Sequence, residues 1–351
     1  MTRWVASLLV VVFVGCGGST GGGGGGDGGG GGDDMPIDAP LGTWTYVPID
    51  GMVCADGSPT GIGVNLSDTS SDVFIFVAGG GACWDATTCF TTKSAVHIEG
   101  GYGQADFNTE INGLAGAGIF QRIAQNPFKD ASWVYVPYCT GDLHDGANVA
   151  TYDAAHVVHH VGRTNAAALL ARVAATRPAA QTVWLVGVSA GGYGIAFDWD
   201  LARAEWPQSK VHALADSSPL VAMEPTRWSA MQASWKLTFP TACASCTSDL
   251  GAMNAALRST QRPGERYALL ANTRDQTIST YFGVTMDQLQ TETLAAQAAM
   301  SPSMGQAAYV IAGTGHVLLG NPSVQTSNGV VLATWFAQWA SGDPAWANAG
   351  P

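Results

Sequence analysis

Charge is scarce in this 351-residue chain, with Asp, Glu, Lys and Arg making up only 12% of it, and positive charge is scarcer still. Fifteen Lys and Arg stand against 27 Asp and Glu, a net charge of −12, and no Lys/Arg run occurs anywhere. Clustered cations that neutralise phosphates carry most non-specific nucleic-acid affinity, so nucleic acid is disfavoured as a partner, and an acidic polymer is disfavoured on the same ground. No internal repeat is visible, which argues against a solenoid. The Cys243-Ala244-Ser245-Cys246 pair has no second CxxC, no thioredoxin-like βαβ start and no matching histidine spacing, which argues against a redox motif and a zinc finger. What is abundant is hydrophobic sequence, 46% of the chain, enough to build a buried core over most of its length.

The beginning of the chain reads as an address. Arg3 precedes Trp4 to Val14, eleven uncharged and mostly apolar residues that suit a secretory h-region and are too few to span a bilayer. Phe13-Val14-Gly15-Cys16 looks like a bacterial lipobox, with Cys16 becoming the lipidated N-terminus after cleavage. Glycine then fills 13 of positions 17 to 32, a flexible tether that would hold a domain on the order of 25 Å from its anchor. The expected organisation is a lipoprotein signal peptide at 1–15, a tether at 16–37 and one folded domain at 38–351. The expected location is the bacterial cell envelope, held to a membrane by the lipid on Cys16, or the medium if the protein is simply secreted. Six cysteines remain besides Cys16, an even number that in an exported chain favours bridges. Close spacing suggests the local links Cys83 to Cys89 and Cys243 to Cys246, leaving Cys54 and Cys139 for a long one.

From residue 43 onward short β-like runs alternate with helical ones, the pattern of a mostly parallel sheet with helices on both faces. Strands are expected at 43–48, 61–66, 73–77, 132–136, 156–161, 182–186, 210–215, 267–272 and 307–312. Helices are expected at 165–176, 195–206, 286–300 and 328–339. His156, His159 and His160 would face one metal only on a helix. The valines between and after them favour a strand, on which His156 and His160 lie roughly 13 Å apart with His159 on the opposite side. No metal and no cofactor is expected.

The run Thr182 to Val186 leads into Gly187-Val188-Ser189-Ala190-Gly191, a G-x-S-x-G between an expected strand and an expected helix. The flanking glycines lack Cβ atoms, which permits the sharp turn that projects a serine oxygen over a sheet edge. A serine hydroxyl needs a base and an acid to become a nucleophile, and in this arrangement both follow it in the chain. Beyond Ser189 stand only His212, inside a strand, and His316, in the loop Gly313 to His316, so His316 is the base. Asp216 and Asp275 both follow strands; the later position is the more usual one, which favours Asp275 as the acid. Asp216 otherwise reads as a turn-former before Ser217-Ser218-Pro219. An acyl-transfer oxyanion also needs N–H donors. The glycine loop Ala78 to Trp84 follows an early strand where one donor belongs, and Ala190 supplies another. That loop lacks the Lys and Ser/Thr of a phosphate loop and has no G-x-G-x-x-G fingerprint.

Taken together, Gly79-Gly80-Gly81-Ala82-Cys83-Trp84 with Cys89, Tyr138-Cys139-Thr140-Gly141-Asp142 with His144, Gly187 to Gly192, Asp275-Gln276-Thr277 and Gly315-His316 resemble the pectin acetylesterase family, which includes the Notum carboxylesterases. The resemblance spans about residues 43 to 340. It implies an α/β-hydrolase fold without metal, a triad at Ser189, Asp275 and His316, and an oxyanion hole at Gly80, Gly81 and Ala190. It also implies the bridges Cys83–Cys89 and Cys54–Cys139. The chain departs from the plant and animal members in having fewer cysteines, and its stretch between Pro219 and Tyr267 does not match the family. The function expected is an exported serine esterase that removes acetyl or other short acyl groups from an acylated carbohydrate, with Trp84 and His144 as pocket residues unless packed in the core. The rivals are a lipase or protein deacylase for longer chains, and an inactive carbohydrate-binding surface protein.

Overall fold

The computed structural model describes residues 35–351, so the lipobox, Cys16 and most of the tether lie outside the described residues. Strands β1 (Thr45–Val53), β2 (Pro59–Asn65), β3 (Val73–Val77), β4 (Ser132–Val136), β5 (Asn148–Asp153), β6 (His156–His160), β7 (Thr182–Val188), β8 (Lys210–Asp216), β9 (Tyr267–Asn272) and β10 (Gln306–Ile311) alternate with helices. The helices are α1 (Gln104–Leu114), α2 (Gly162–Thr176), α3 (Ala190–Phe197), α4 (Trp199–Glu205), α5 (Pro225–Trp235), α6 (Met253–Thr260), α7 (Gln276–Phe282), α8 (Met286–Ala299) and α9 (Leu332–Ser341). Eight strands form one sheet in the order β1-β2-β4-β3-β7-β8-β9-β10. From β4 to β10 every neighbouring pair is parallel, and β1 and β2 join antiparallel at one edge. This is an α/β-hydrolase fold, with a mostly parallel central sheet.

The central strands are buried on both faces, which is why they read as unbroken apolar runs rather than as alternations. In β3, Val73, Ile75 and Val77 join the core beneath α2, α3 and α4, while Phe74 and Phe76 join the opposite core with α1 and α9. The second layer is rich in aromatic rings: Phe74 stacks on Phe128, and Trp335 and Trp339 of α9 are fully buried in it. Disulfides Cys54–Cys139, Cys83–Cys89 and Cys243–Cys246 staple the loops around this frame.

Helices α1, α5, α6 and α7 have no counterpart among the expected helices, and three of the expected elements differ in form or place. The helix expected at 195–206 is two helices that part at Asp198, whose carboxylate accepts from Arg163 at 2.8 Å instead of capping its own helix. The first of them starts at Ala190 and runs through three glycines. The strand at His156–His160 stands outside the sheet and pairs antiparallel with β5, a strand the pattern did not suggest. Its histidines separate as a strand requires: His156 binds Asp153, while His160 bonds Thr140 O and Tyr152. The closing helix begins at Leu332 rather than 328, because Gln325 to Val331 forms a small turn of its own.

Candidate active site

The parallel strands point their C-terminal ends to one rim, and the loops that leave β3, β7, β8, β9 and β10 meet there. Ser189 follows β7 with φ 53° and ψ −122°, a conformation rarely adopted by a residue with a side chain. The turn closes only because its neighbours lack Cβ atoms. A methyl on Gly187 would lie 2.2 Å from Gly191 O, and one on Gly191 would lie 2.1 Å from Val77 O. A methyl on Gly79 would lie 2.7 Å from the Ser189 Cβ, so the glycine loop after β3 passes directly beside the serine.

His316 stands in the loop after β10 and Asp275 in the loop after β9. These two loops zip together through Thr273 N–H to Ile311 O, Arg274 N–H to Gly313 O and Gln276 N–H to Thr314 O. The result is a continuous chain of hydrogen bonds. Ser189 Oγ lies 2.8 Å from His316 Nε2, and His316 Nδ1 lies 2.8 Å from Asp275 Oδ2. Asp275 is 1% exposed, and its other oxygen accepts the Ile278 N–H at the head of α7 at 3.0 Å. A carboxylate only accepts, so Nδ1 carries the imidazole proton, which leaves Nε2 as the lone pair that receives the serine hydroxyl. The three side chains are therefore ordered as donor, relay and acceptor for removing the Ser189 proton.

The glycine loop is held open toward the serine. Ala82 N–H bonds Ser94 O, Val96 N–H bonds Gly80 O and Cys83 N–H bonds Gly141 O, and the Cys83–Cys89 bridge closes the far end. These bonds use the Gly80 carbonyl but not the N–H of Gly80 or Gly81. Gly81 sits at φ 82°, where a Cβ would meet Ser94 O at 2.0 Å. Ala190 is the first residue of α3, so its N–H has no acceptor within the helix. Tyr281 at the end of α7 braces the loop through its hydroxyl on Ser94 O.

Other expected residues fall elsewhere. Asp216 does not reach the imidazole; its carboxylate bonds backbone N–H groups beyond His316, and burial pushes it up to about 6. His212 is 2% exposed within β8, its Nδ1 accepting the Arg266 N–H, and burial lowers it to about 3. His144 does not reach the Ser189 site. It is buried against Tyr138, its Nε2–H donates to Ala78 O at 2.9 Å, and the small cavity it borders includes none of Ser189, Asp275 or His316. Burial among these packed groups lowers its pKa below the ordinary imidazole value. Trp84 is half-buried beside the Cys83–Cys89 bridge, with the Arg227 guanidinium 5.5 Å from its ring centre. Ser217 and Ser218, legible in sequence only as part of a turn, bond the backbone of the site through their hydroxyls, and the only signal was a polar run at the end of the strand beside the elbow.

Ser189 at the end of a parallel strand of this α/β-hydrolase fold is thus hydrogen-bonded in series to His316 and the buried Asp275 carboxylate. Residues 44–294 match the pectinacetylesterase family model, and the chain belongs to that family, which places it among carboxylic ester hydrolases. It is 27% identical over 181 residues to palmitoleoyl-protein carboxylesterase NOTUM of Homo sapiens, covering 47% of this chain and 34% of that protein. Its likeness to the Mus musculus protein of the same name is 27% over 179 residues, covering 47% and 33%. The matched stretch thus spans about a third of the curated relatives' length. Two crystal forms of the Wnt deacylase Notum from Drosophila superpose with TM-scores of 0.67 and 0.64. Each covers 86% of this chain and 94% of that one, at 17% and 16% identity, a likeness of fold.

Proposed function

We propose that this chain is an exported serine esterase that removes acetyl or other short acyl groups from oxygen atoms of a carbohydrate polymer. In this reading Ser189 Oγ attacks the ester carbonyl carbon while its proton passes to His316 Nε2, and Asp275 keeps the imidazole oriented and stabilises its charge. The carbonyl oxygen becomes an oxyanion facing the N–H groups of Gly80, Gly81 and Ala190. Collapse breaks the bond to the sugar oxygen, which leaves with the proton from Nε2. Water then attacks the acyl-enzyme by the same route, releasing the acid and restoring Ser189. Trp84, partly buried at the end of the glycine loop, is the proposed wall against which a sugar stacks.

The single observation that carries this reading is the unbroken pair of 2.8 Å contacts from Ser189 through His316 to the buried Asp275. Family membership supports the ester bond as target, and the disulfides fit an oxidising, extracytoplasmic compartment. Lipid anchoring through Cys16 belongs to the same proposal, and a mature N-terminus at any other residue refutes it. The test of the reaction is acetate release from a panel of acetylated polysaccharides, with Ser189→Ala as control. Release must be lost in the variant, and undiminished release refutes the mechanism. A second reading, hydrolysis of longer acyl chains from protein or lipid, is favoured by what the relatives' names say of them, palmitoleoyl-protein carboxylesterase and Wnt deacylase. An acyl-length series of chromogenic esters separates the two: kcat/KM falling beyond acetyl or butyryl supports the first, and rising toward sixteen-carbon chains the second.

A further inference from the structure

Asp216 ends β8 with its carboxylate fully buried and paired with no Arg or Lys among the described residues. It spends its acceptors on the loop that carries His316. One oxygen accepts the Leu318 N–H at 3.0 Å and the Ser217 hydroxyl at 3.1 Å; the other accepts the Leu319 N–H at 2.7 Å. Ser217 Oγ in turn accepts the Val317 N–H at 2.8 Å. Three consecutive amides directly after His316 are thus held by two neighbouring side chains. The same strand end grips Ser189: Asp216 O accepts its N–H at 2.8 Å, and the Ser218 hydroxyl donates to its carbonyl at 2.6 Å. Gly192 leaves the room this needs, since a methyl there would meet Ser218 Oγ at 2.1 Å.

A loop anchor of general structural purpose accounts for one such bond. It does not account for two residues 127 apart in sequence being tied to the same three-residue segment. Nor does it account for the backbone there. Ser189, Ser217 and Val317 lie at φ 53°, 55° and 63°, and a β-branched valine in that region persists only where its surroundings hold it.

We propose that Asp216, Ser217 and Ser218 are positioning residues for acyl transfer, a clamp that sets Ser189 Oγ against His316 Nε2 by fixing both backbones to one strand end. The inference rests on the Ser189–His316 reading above. The clamp works through geometry: as a carboxylate, Asp216 offers acceptor lone pairs to all three donors, whereas protonation would turn one oxygen into a donor facing them. Burial pushes the Asp216 carboxyl up to about 6, and the Leu318 and Leu319 N–H bonds pull against that rise.

The experiment is steady-state hydrolysis of a short chromogenic ester by the full chain and two variants, with thermal unfolding measured in parallel. Asp216→Asn keeps the shape but sets an NH2 against a backbone N–H in either orientation. Its kcat is expected to fall roughly 100-fold with KM within about threefold, the mark of misplacement rather than lost binding. Ser217→Ala removes only the Val317 support and should lower kcat about 3- to 10-fold in the same pattern. Labelling of Ser189 by a fluorophosphonate should slow by matching factors. Wild-type kcat in both variants, or a raised KM at unchanged kcat, overturns the proposal. Should Asp216→Asn fail to fold, Ser217→Ala and Ser218→Ala decide it alone by the same criteria. Failure of the underlying reading is told apart because wild-type enzyme would then itself resist the fluorophosphonate.

Discussion

Asp275→Asn tests the proposed relay most sharply, because the structure dictates which way the new amide must point. Asp275 Oδ1 faces a donor, the Ile278 N–H at 3.0 Å, while Oδ2 faces His316 Nδ1 at 2.8 Å. An asparagine satisfies Ile278 only by placing its oxygen there, which turns its NH2 toward the imidazole. The ring must then offer the Nδ1 lone pair, moving its proton to Nε2, where it confronts the Ser189 hydroxyl and cannot accept from it. The opposite orientation restores the productive tautomer but leaves a buried N–H facing an NH2, at about 2 kcal/mol. Only about one molecule in 30 then rests in the productive state. That factor is a floor, since the amide also removes the charge that stabilises the imidazolium during attack; the same change in a serine protease triad lowers turnover about 10⁴-fold. The expected result is a kcat loss of about 10³-fold or more, KM nearly unchanged and little change in thermal unfolding, measured on a short chromogenic ester. A loss below about tenfold would refute the assignment of Asp275 and of the tautomer.

Two further outcomes follow from the same structure. The Cys54–Cys139 bridge closes 85 residues and the Cys83–Cys89 bridge only 6, so chain entropy predicts about 4.5 kcal/mol lost on replacing the first pair by alanine and about 2 kcal/mol for the second. Yet the second should cost more kcat, since it frames the glycine loop; calorimetry and kinetics on both double variants check the crossing, and an identical ranking in the two assays contradicts it. His212 is held near 3 by burial, so between its ordinary value of about 6.5 and 3 the unfolded chain binds one more proton than the folded one. Stability therefore drains through this residue as pH falls across that window, by up to about 1.4 kcal/mol per unit. His212→Asn, whose amide oxygen replaces Nδ1 as the acceptor of the Arg266 N–H, should flatten the slope of urea-unfolding free energy between pH 6 and 4 by that amount. Parallel slopes would mean that His212 titrates normally.

The strands that carry the site were legible because burial on both faces leaves a plain chemical trace. Val73–Val77, Ser132–Val136 and Tyr267–Asn272 appear in the structure with the bounds their apolar runs suggested. The elbow was legible because it demands glycine at particular places, and a requirement for no side chain is visible in sequence. By contrast, α3 runs through Ala-Gly-Gly-Tyr-Gly, which intrinsic propensity counts against a helix. Each glycine there presses on something: Gly191 on Val77 O, Gly192 on Ser218 and Gly194 on His144. Packing overrides propensity, and the partners that do so lie far away in the chain. The β5–β6 hairpin was half-seen for the same reason, since Asn148–Asp153 alternates weakly and is defined by its partner.

The strain and the close packing at this rim have one origin. For Ser189 Oγ to stand clear of β7, its backbone must enter the left-handed region, and for an oxyanion donor to lie beside it, the loop after β3 must pass within a methyl's width. Neither conformation is stable alone. They persist because the elbow is sealed from beneath by Gly191 against Val77 O, from one side by Gly79, and from the other by the Asp216–Ser218 segment. A side chain added at any of these contacts must displace the serine or the loop. The geometry that would lower the barrier to acyl transfer is thus the same geometry that excludes every larger residue around it, and the density of glycine at this rim follows from that exclusion rather than from a need for flexibility.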